Sequence, residues 1–243
     1  PTVFHYNVVM DAIEAVKNVK KKKPIALKLP EAQKMIEAAE DAGVTLATGH
    51  VERFNPAVRV TKKLIDDGEI GEVVTASSKR LGPFPPRIRD VGVAIDLAIH
   101  DVDIFNYLFE SQAETVYANM SSKLENCEFE DHAEIMTKYE NGALSILETN
   151  WLTPYKKRQL NITGVDGIIS VDYGNQTVKL FKENNQVEDI KVNNKEPLKE
   201  ELRSFINSVQ NKTEPEVSGK DGFKALKIVN AAMQSSKEQR LVY

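Results

Sequence analysis

HAEIMTKYENGALSILETNW, residues 132–151, reads as an alternating apolar–polar run, an Asn141-Gly142 turn and a second alternating run. Alternation with period two puts successive side chains on opposite faces of a strand, and glycine supplies the positive φ of a tight hairpin. The pattern continues on both sides. Residues 72–80, 114–123, 158–163, 168–173, 177–181 and 186–192 read as further strands, with turns at Val165-Asp166-Gly167 and Asn184-Asn185. No helical pattern interrupts residues 114–192, so successive hairpins predict a large, mostly antiparallel sheet. Two helices, residues 197–211 and 220–235, are expected to follow it.

Toward the amino end the period changes. Val8, Val9, Ala12, Ile13 and Val16 recur at helical spacing, and a break follows at Pro24. Residues 29–42 form a second helix, with Pro30 at a favoured early position and Gly43 at its end. Val44-Thr45-Leu46-Ala47-Thr48 is then a short strand. Helix and strand in alternation imply a parallel sheet with crossovers. Residues 56–66 are helical, Gly82-Pro83-Phe84-Pro85-Pro86 is a stiff loop, and a long apolar helix is expected over residues 92–109.

The bulk numbers exclude several classes. A net charge of −4 gives no general reason to bind nucleic acid or an anionic membrane. Lys20 to Lys23 form a basic run, but the following Pro24 to Leu29 add only Lys28 and no aromatic residue. No window approaches the roughly 20 apolar residues of a membrane span, and no secretory leader is visible. Cys127 is the single cysteine, so no internal disulfide forms and a cytoplasmic setting is expected. The sequons at Asn119, Asn161, Asn175 and Asn211 are then chance matches.

Residues 90–109 carry the chemistry. At about 100° per residue, Asp96, His100, Asp103 and Tyr107 fall on one helical stripe. A solvent-facing stripe is the bland alternative, yet no Lys, Arg or Glu occurs from Asp90 to Phe109 in a chain rich in all three. Asp96 and His100, one turn apart, can hydrogen-bond or face one hydroxyl together. That pair is equipped to take a proton from an alcohol while hydride leaves its carbon. A metal would want another histidine; His5, His50 and His132 stand at no recognisable ligand spacing, so no metal is expected.

Five motifs in order resemble the Gfo/Idh/MocA oxidoreductases. Pro1-Thr-Val-Phe-His5 resembles the family's P-x-x-x-H, Lys23-Pro24 its E-K-P, and Gly49-His50-Val-Glu-Arg53-Phe-Asn55-Pro56 its G-x-x-x-R-F-[DN]-P. Asp96-x-x-x-His100 resembles its D-x-x-x-H, and Gly68-Glu-Ile-Gly71-Glu72 its helix-to-strand turn. The resemblance implies an α/β plus α+β fold: the remnant of a Rossmann-type parallel sheet, then a large open-faced sheet with helices on one side. Residues 1–50 would be the end of a dinucleotide-binding domain, and residues 51–243 a substrate-binding, catalytic and oligomerisation domain. No G-x-G-x-x-G occurs, so a glycine-rich start about eighty residues upstream is expected.

The resemblance further implies NAD or NADP as cofactor, contacted by Pro1, His5, Lys23 and Pro24. Lys23 would stand beside the nicotinamide and the reacting hydroxyl, His100 would be the general base, and Asp96 would orient sugar and histidine. Arg53 and Asn55 would bind substrate with Asp96 and His100. One departure is Lys20-Lys21-Lys22, where the family has an apolar strand; three lysines suit a buried strand poorly, so the segment is expected either to be displaced or not to form a native strand. Arg87 and Arg89, on the proline-stiffened loop, suit a phosphate or carboxylate, although surface salt bridges would explain them as well. The loop resembles family members acting on nucleotide sugars, which implies oxidation at C3 of a UDP-linked N-acetylhexosamine. A homodimer or homotetramer through the large sheet is expected. A different class, a non-catalytic sugar-binding or dimerisation module, would keep the sheet and lose turnover, while a metal-dependent hydrolase would show stoichiometric metal.

Overall fold

The structure, a computed structural model, describes residues 5–86, 88, 90–125 and 127–242. The chain starts with α1 (His5–Glu14), β1 (Val19–Lys22), α2 (Leu29–Asp41) and β2 (Leu46–Gly49). β1 and β2 pair in parallel, Val19 opposite Leu46, as helix–strand alternation predicts. A 3-10 turn (Val51–Phe54) leads into α3 (Pro56–Asp66), capped by the Asn55 side chain accepting from Ala57 N at 3.1 Å.

The lysine-rich segment is not displaced; it is β1 itself, which corrects the expectation. Each lysine finds a separate solution. Lys20 pairs with Glu201 at 2.9 Å. Lys21 points inward and donates to the carbonyls of Lys22 and Pro24 at 2.7 and 2.8 Å. Lys22 faces solvent. Burial pushes the Lys21 ammonium from its ordinary 10.5 down to about 7. Between those values the unfolded chain holds more protons, so this residue makes stability rise with pH above about 7. Urea unfolding at several alkaline pH values should show a steeper stability gain in the wild type than in Lys21→Met. Identical slopes would mean that the lysine is hydrated in the fold.

The remaining strands are β3 (Val73–Pro83), β4 (Ala113–Ser121), β5 (His132–Tyr139), β6 (Leu144–Asn150), β7 (Leu152–Gly164), β8 (Ile168–Asp172), β9 (Thr177–Lys182) and β10 (Gln186–Ile190). They form one sheet in the order β10-β9-β8-β7-β3-β6-β5-β4. Neighbours are antiparallel except β3 and β6, which are parallel. Consecutive β6 and β7 therefore do not form a hairpin: β3 lies between them. Gly142, at φ +88°, turns the β5–β6 hairpin.

Between β3 and β4 the expected single helix is two segments, a π-helical turn (Ala94–Ala98) and α4 (Ile99–Phe109). α5 (Pro197–Asn211) and α6 (Gly219–Glu238) complete the fold. α4 packs on β3 and α6, α3 on β8 and β9, and α6 on β4, α4, α2 and β2, so α6 joins the two sheets. Its approach is close: a Cβ on Gly222 would stand 2.4 Å from Thr48 Oγ1. Val116, Ile135, Leu147, Leu160, Ile169 and Leu180 point from the sheet into this core. The other face carries a cross-strand row of large apolar side chains, Tyr117, Met136 and Ile146, which are 38%, 39% and 45% exposed. Among the described residues no helix is long and apolar enough to cross a membrane.

Candidate active site

β1 ends one residue before Lys23, whose peptide bond to Pro24 is cis. The Lys23 side chain crosses to the π-helical turn, where Nζ donates to Asp96 Oδ1 at 3.0 Å and to the Asp96 backbone carbonyl. Both side chains are 17% exposed. Residues 73 apart in sequence thus meet where the small parallel sheet touches the helix that carries the histidine. π-helical turns interrupt the regular helical ladder and recur at functional sites.

His100 sits one residue into α4, partly buried, with Nδ1 enclosed and without a hydrogen-bond partner among the described residues. No hydrogen bond joins it to Asp96 among those residues; the carboxylate is turned onto Lys23 instead, which corrects the expected orienting bond. Burial holds the His100 imidazole well below its usual 6.5, and the cations Lys23 and Arg80, with His50 and Arg158, push in the same direction. A neutral ring at physiological pH is a proton acceptor. His50 is more deeply enclosed, its Nδ1 3.9 Å from Asp103 Oδ2, and burial lowers it too, with Asp103 opposing.

Two buried guanidinium–carboxylate pairs fix α4 from opposite sides. Arg53 donates from Nε and Nη2 to the two oxygens of Asp103, at 2.8 and 2.7 Å, and reaches Asp221 of α6 at 3.2 Å. Arg80 of β3 pairs with Asp101, donates to Glu52 Oε1 at 3.0 Å and lies over the Tyr173 ring. Asp101 and Asp103 are fully buried and Asp96 is 17% exposed, so these carboxylates face inward rather than to water. Arg53 and Asn55, expected at the substrate, are engaged elsewhere: Arg53 with Asp103 and Asp221, Asn55 as the α3 cap and as donor to Tyr173 O and Glu52. Both hold the segment that positions the site.

The structure brings Lys23, Pro24, Asp96 and His100 into one region. Pro1, the His5 side chain, Arg87 and Arg89 lie outside the described residues. The loop that precedes the π-helical turn borders a hollow of about 360 Å³ lined by Phe84, Ile88, Val91, Cys127, Phe129 and Trp151, with Phe84 and Trp151 edge to face at 5.3 Å. Sequence reasoning did not find Arg80, Glu52, Tyr173, His50 or Arg158. Among the described residues no group of three or more His, Cys, Asp or Glu is placed to hold a metal ion.

A nicotinamide fits one end of this arrangement. Ligands of parallel α/β sheets bind beyond the carboxyl ends of the strands. Here those ends present Lys23-Pro24 and Gly49-His50, next to a proton acceptor. The glycine-rich pyrophosphate loop is not among the 243 residues. The lysine–aspartate contact joins the end of the small parallel sheet to the π-helical turn that leads into α4 beneath the large sheet.

Comparison with known proteins identifies the family. Residues 62–243 match the model "Oxidoreductase family, C-terminal alpha/beta domain", and residues 1–50 match "Oxidoreductase family, NAD-binding Rossmann fold". The chain belongs to the Gfo/Idh/MocA oxidoreductase family. An uncharacterized oxidoreductase, YrbE of Bacillus subtilis, is 29% identical, the match covering 97% of this chain and 73% of that protein. The myo-inositol 2-dehydrogenase of Thermotoga maritima is 27% identical over 99% of this chain and 77% of its own length. The structure of UDP-N-acetylglucosamine 3-dehydrogenase GnnA from Acidithiobacillus ferrooxidans superimposes with a TM-score of 0.90, at 25% identity, covering 98% of this chain and 77% of that one.

Proposed function

We propose that this chain holds the nicotinamide-facing and sugar-binding residues of an NAD- or NADP-dependent dehydrogenase. It oxidises a ring hydroxyl of a sugar, the finer reading being C3 of a UDP-linked N-acetylhexosamine. The observation that carries the proposal is the 3.0 Å contact of Lys23 with Asp96, beside an imidazole held neutral. When bound, the nicotinamide supplies the hydride acceptor. His100 takes the proton of the reacting hydroxyl. Lys23 stabilises negative charge developing on that oxygen, and Asp96 holds the lysine in place while accepting from a neighbouring hydroxyl. Residues 1–50 serve the cofactor and residues 51–243 the sugar, with Arg87 and Arg89 toward an anionic part of it.

Similarity to the inositol and UDP-N-acetylglucosamine dehydrogenases supports a polyhydroxylated ring as substrate. The test is to follow reduced nicotinamide with NAD⁺ or NADP⁺ over UDP-sugars, free sugars and inositols, using protein expressed from its complete reading frame. Turnover with UDP-N-acetylglucosamine above the others supports the finer reading; turnover only with inositols corrects the substrate. Sugar binding with no turnover on any member of the panel would favour a binding module. A single cysteine and a nicotinamide-dependent reaction support a cytoplasmic setting.

The same reading includes a homodimer or homotetramer through the open face of the large sheet. The aligned Tyr117, Met136 and Ile146 support it, since apolar side chains on a flat sheet face suit packing against a copy. Met136→Glu with Ile146→Lys should convert the assembly to a monomer in sedimentation at micromolar concentration. An unchanged sedimentation coefficient would move the interface elsewhere.

A further inference from the structure

We propose that Arg158 is the anchor for an anionic group, a carboxylate or a phosphate, on the substrate, so that the site selects acidic or phosphorylated sugars over neutral ones. The inference rests on the sugar-dehydrogenase reading and adds to it the charge of the substrate and the residue that reads it. In the sheet, Arg158 of β7 lies directly opposite Arg80 of β3, on the face that α4 covers. Two guanidinium groups side by side repel, and the protein neutralises only one. Arg80 has Asp101 and Glu52, Lys23 has Asp96, and Arg53 has Asp103 and Asp221.

Arg158 makes no ion pair with the described residues. Its hydrogen bonds run from Nη1 to two backbone carbonyls, Leu81 O at 2.5 Å and Lys157 O at 2.8 Å. Those bonds fix the plane of the fork and leave Nε and Nη2 uncommitted.

The position is next to the chemistry. Asp101, Glu52 and Asp96 are the carboxylates that act on Arg158, and Arg158 in turn acts on His100. Partial burial and the neighbouring Arg80 both weaken its hold on the proton. A neutral polyol would leave this charge without a counter-ion. A carboxylate or phosphate would complete it through two parallel bonds, the geometry a guanidinium offers and an ammonium does not.

The test measures binding of glucose, glucuronate and glucose 1-phosphate by titration calorimetry, on protein from the complete reading frame with NAD⁺ present. Wild type should bind one anionic sugar about tenfold to a hundredfold more tightly than glucose. The arm that gains identifies carboxylate or phosphate. Arg158→Gln should reduce that ratio to about one, Arg158→Lys should keep part of it, and added salt should lower it in the wild type. Equal binding of all three sugars by the wild type, or a ratio that survives in Arg158→Gln, overturns the proposal and leaves the sugar site standing. Should Arg158→Gln fail to fold, Arg158→Lys decides the question: a ratio equal to that of the wild type overturns the proposal, and a partial loss supports it. No binding of any of the three overturns this inference, while the sugar-site reading is decided separately by turnover on the panel of UDP-sugars, free sugars and inositols.

Discussion

Replacing His100 by asparagine should lower kcat for nicotinamide reduction by about 10²–10⁴-fold, the usual contribution of a positioned general base. Asparagine keeps comparable bulk and polarity at the first turn of α4, so the unfolding midpoint should move little. The size of the effect follows from what surrounds the ring. Burial, Lys23 and Arg80 keep it unprotonated beside the Lys23–Asp96 contact. His50 cannot substitute readily, because both its nitrogens are enclosed. Steady-state kinetics on both proteins, with sugar affinity measured separately, checks this. A kcat within threefold of the wild type would remove His100 from the chemistry.

Asp101→Ala should reduce the unfolding free energy by about 3–5 kcal/mol, because it strands a buried guanidinium. Arg80 is 4% exposed and Asp101 is fully buried. Glu52 remains as a partner, but at 16% exposure it sits nearer to water. The Tyr173 hydroxyl, which donates to Asp101 Oδ1 at 3.4 Å, loses its acceptor as well. Urea unfolding gives the number. Combining Asp101→Ala with Arg80→Met should recover much of the loss, since an apolar pair needs no counter-ion. A single variant within about 1 kcal/mol of wild type would mean that water reaches the pair.

The hairpins and the isolated helices were legible in sequence because their signals are local. Residues 132–139, 56–66 and 197–211 carry unbroken periodicity bounded by turn or capping residues, and β5, α3 and α5 have those limits. The insertion of β3 between β6 and β7 was not legible, because strand pairing across 60 or more residues leaves no mark on local alternation. The strand character of Lys20 to Lys22 was hidden for a related reason. The partners that accept those charges, Glu201 on α5 and the carbonyl of Pro24, are supplied by tertiary structure.

The family motifs named Lys23, Asp96 and His100, and the fold brings them to one place. They could not reveal that Asp96 turns to the lysine rather than to the histidine, since a π-helical turn changes where the carboxylate points. Two overlooked arginines did leave a trace. Arg80 shares strand parity with Ala76 and Ser78, and Arg158 with Leu160 and Ile162, all buried. A cation in phase with core positions signals a buried charge that needs a partner or a ligand.

The pH dependence of kcat/KM reads the protonation of His100 during turnover. Lys23, Arg80, His50 and Arg158 all face His100 and, with burial, oppose its protonation, so the base stays competent as pH falls past its usual 6.5. A plateau should extend below pH 6.5 with an acid limb beneath it, and that limb should be lost in the residual activity of His100→Asn. A limb at or above 6.5, unchanged in position and height in that variant, would contradict His100 as the base.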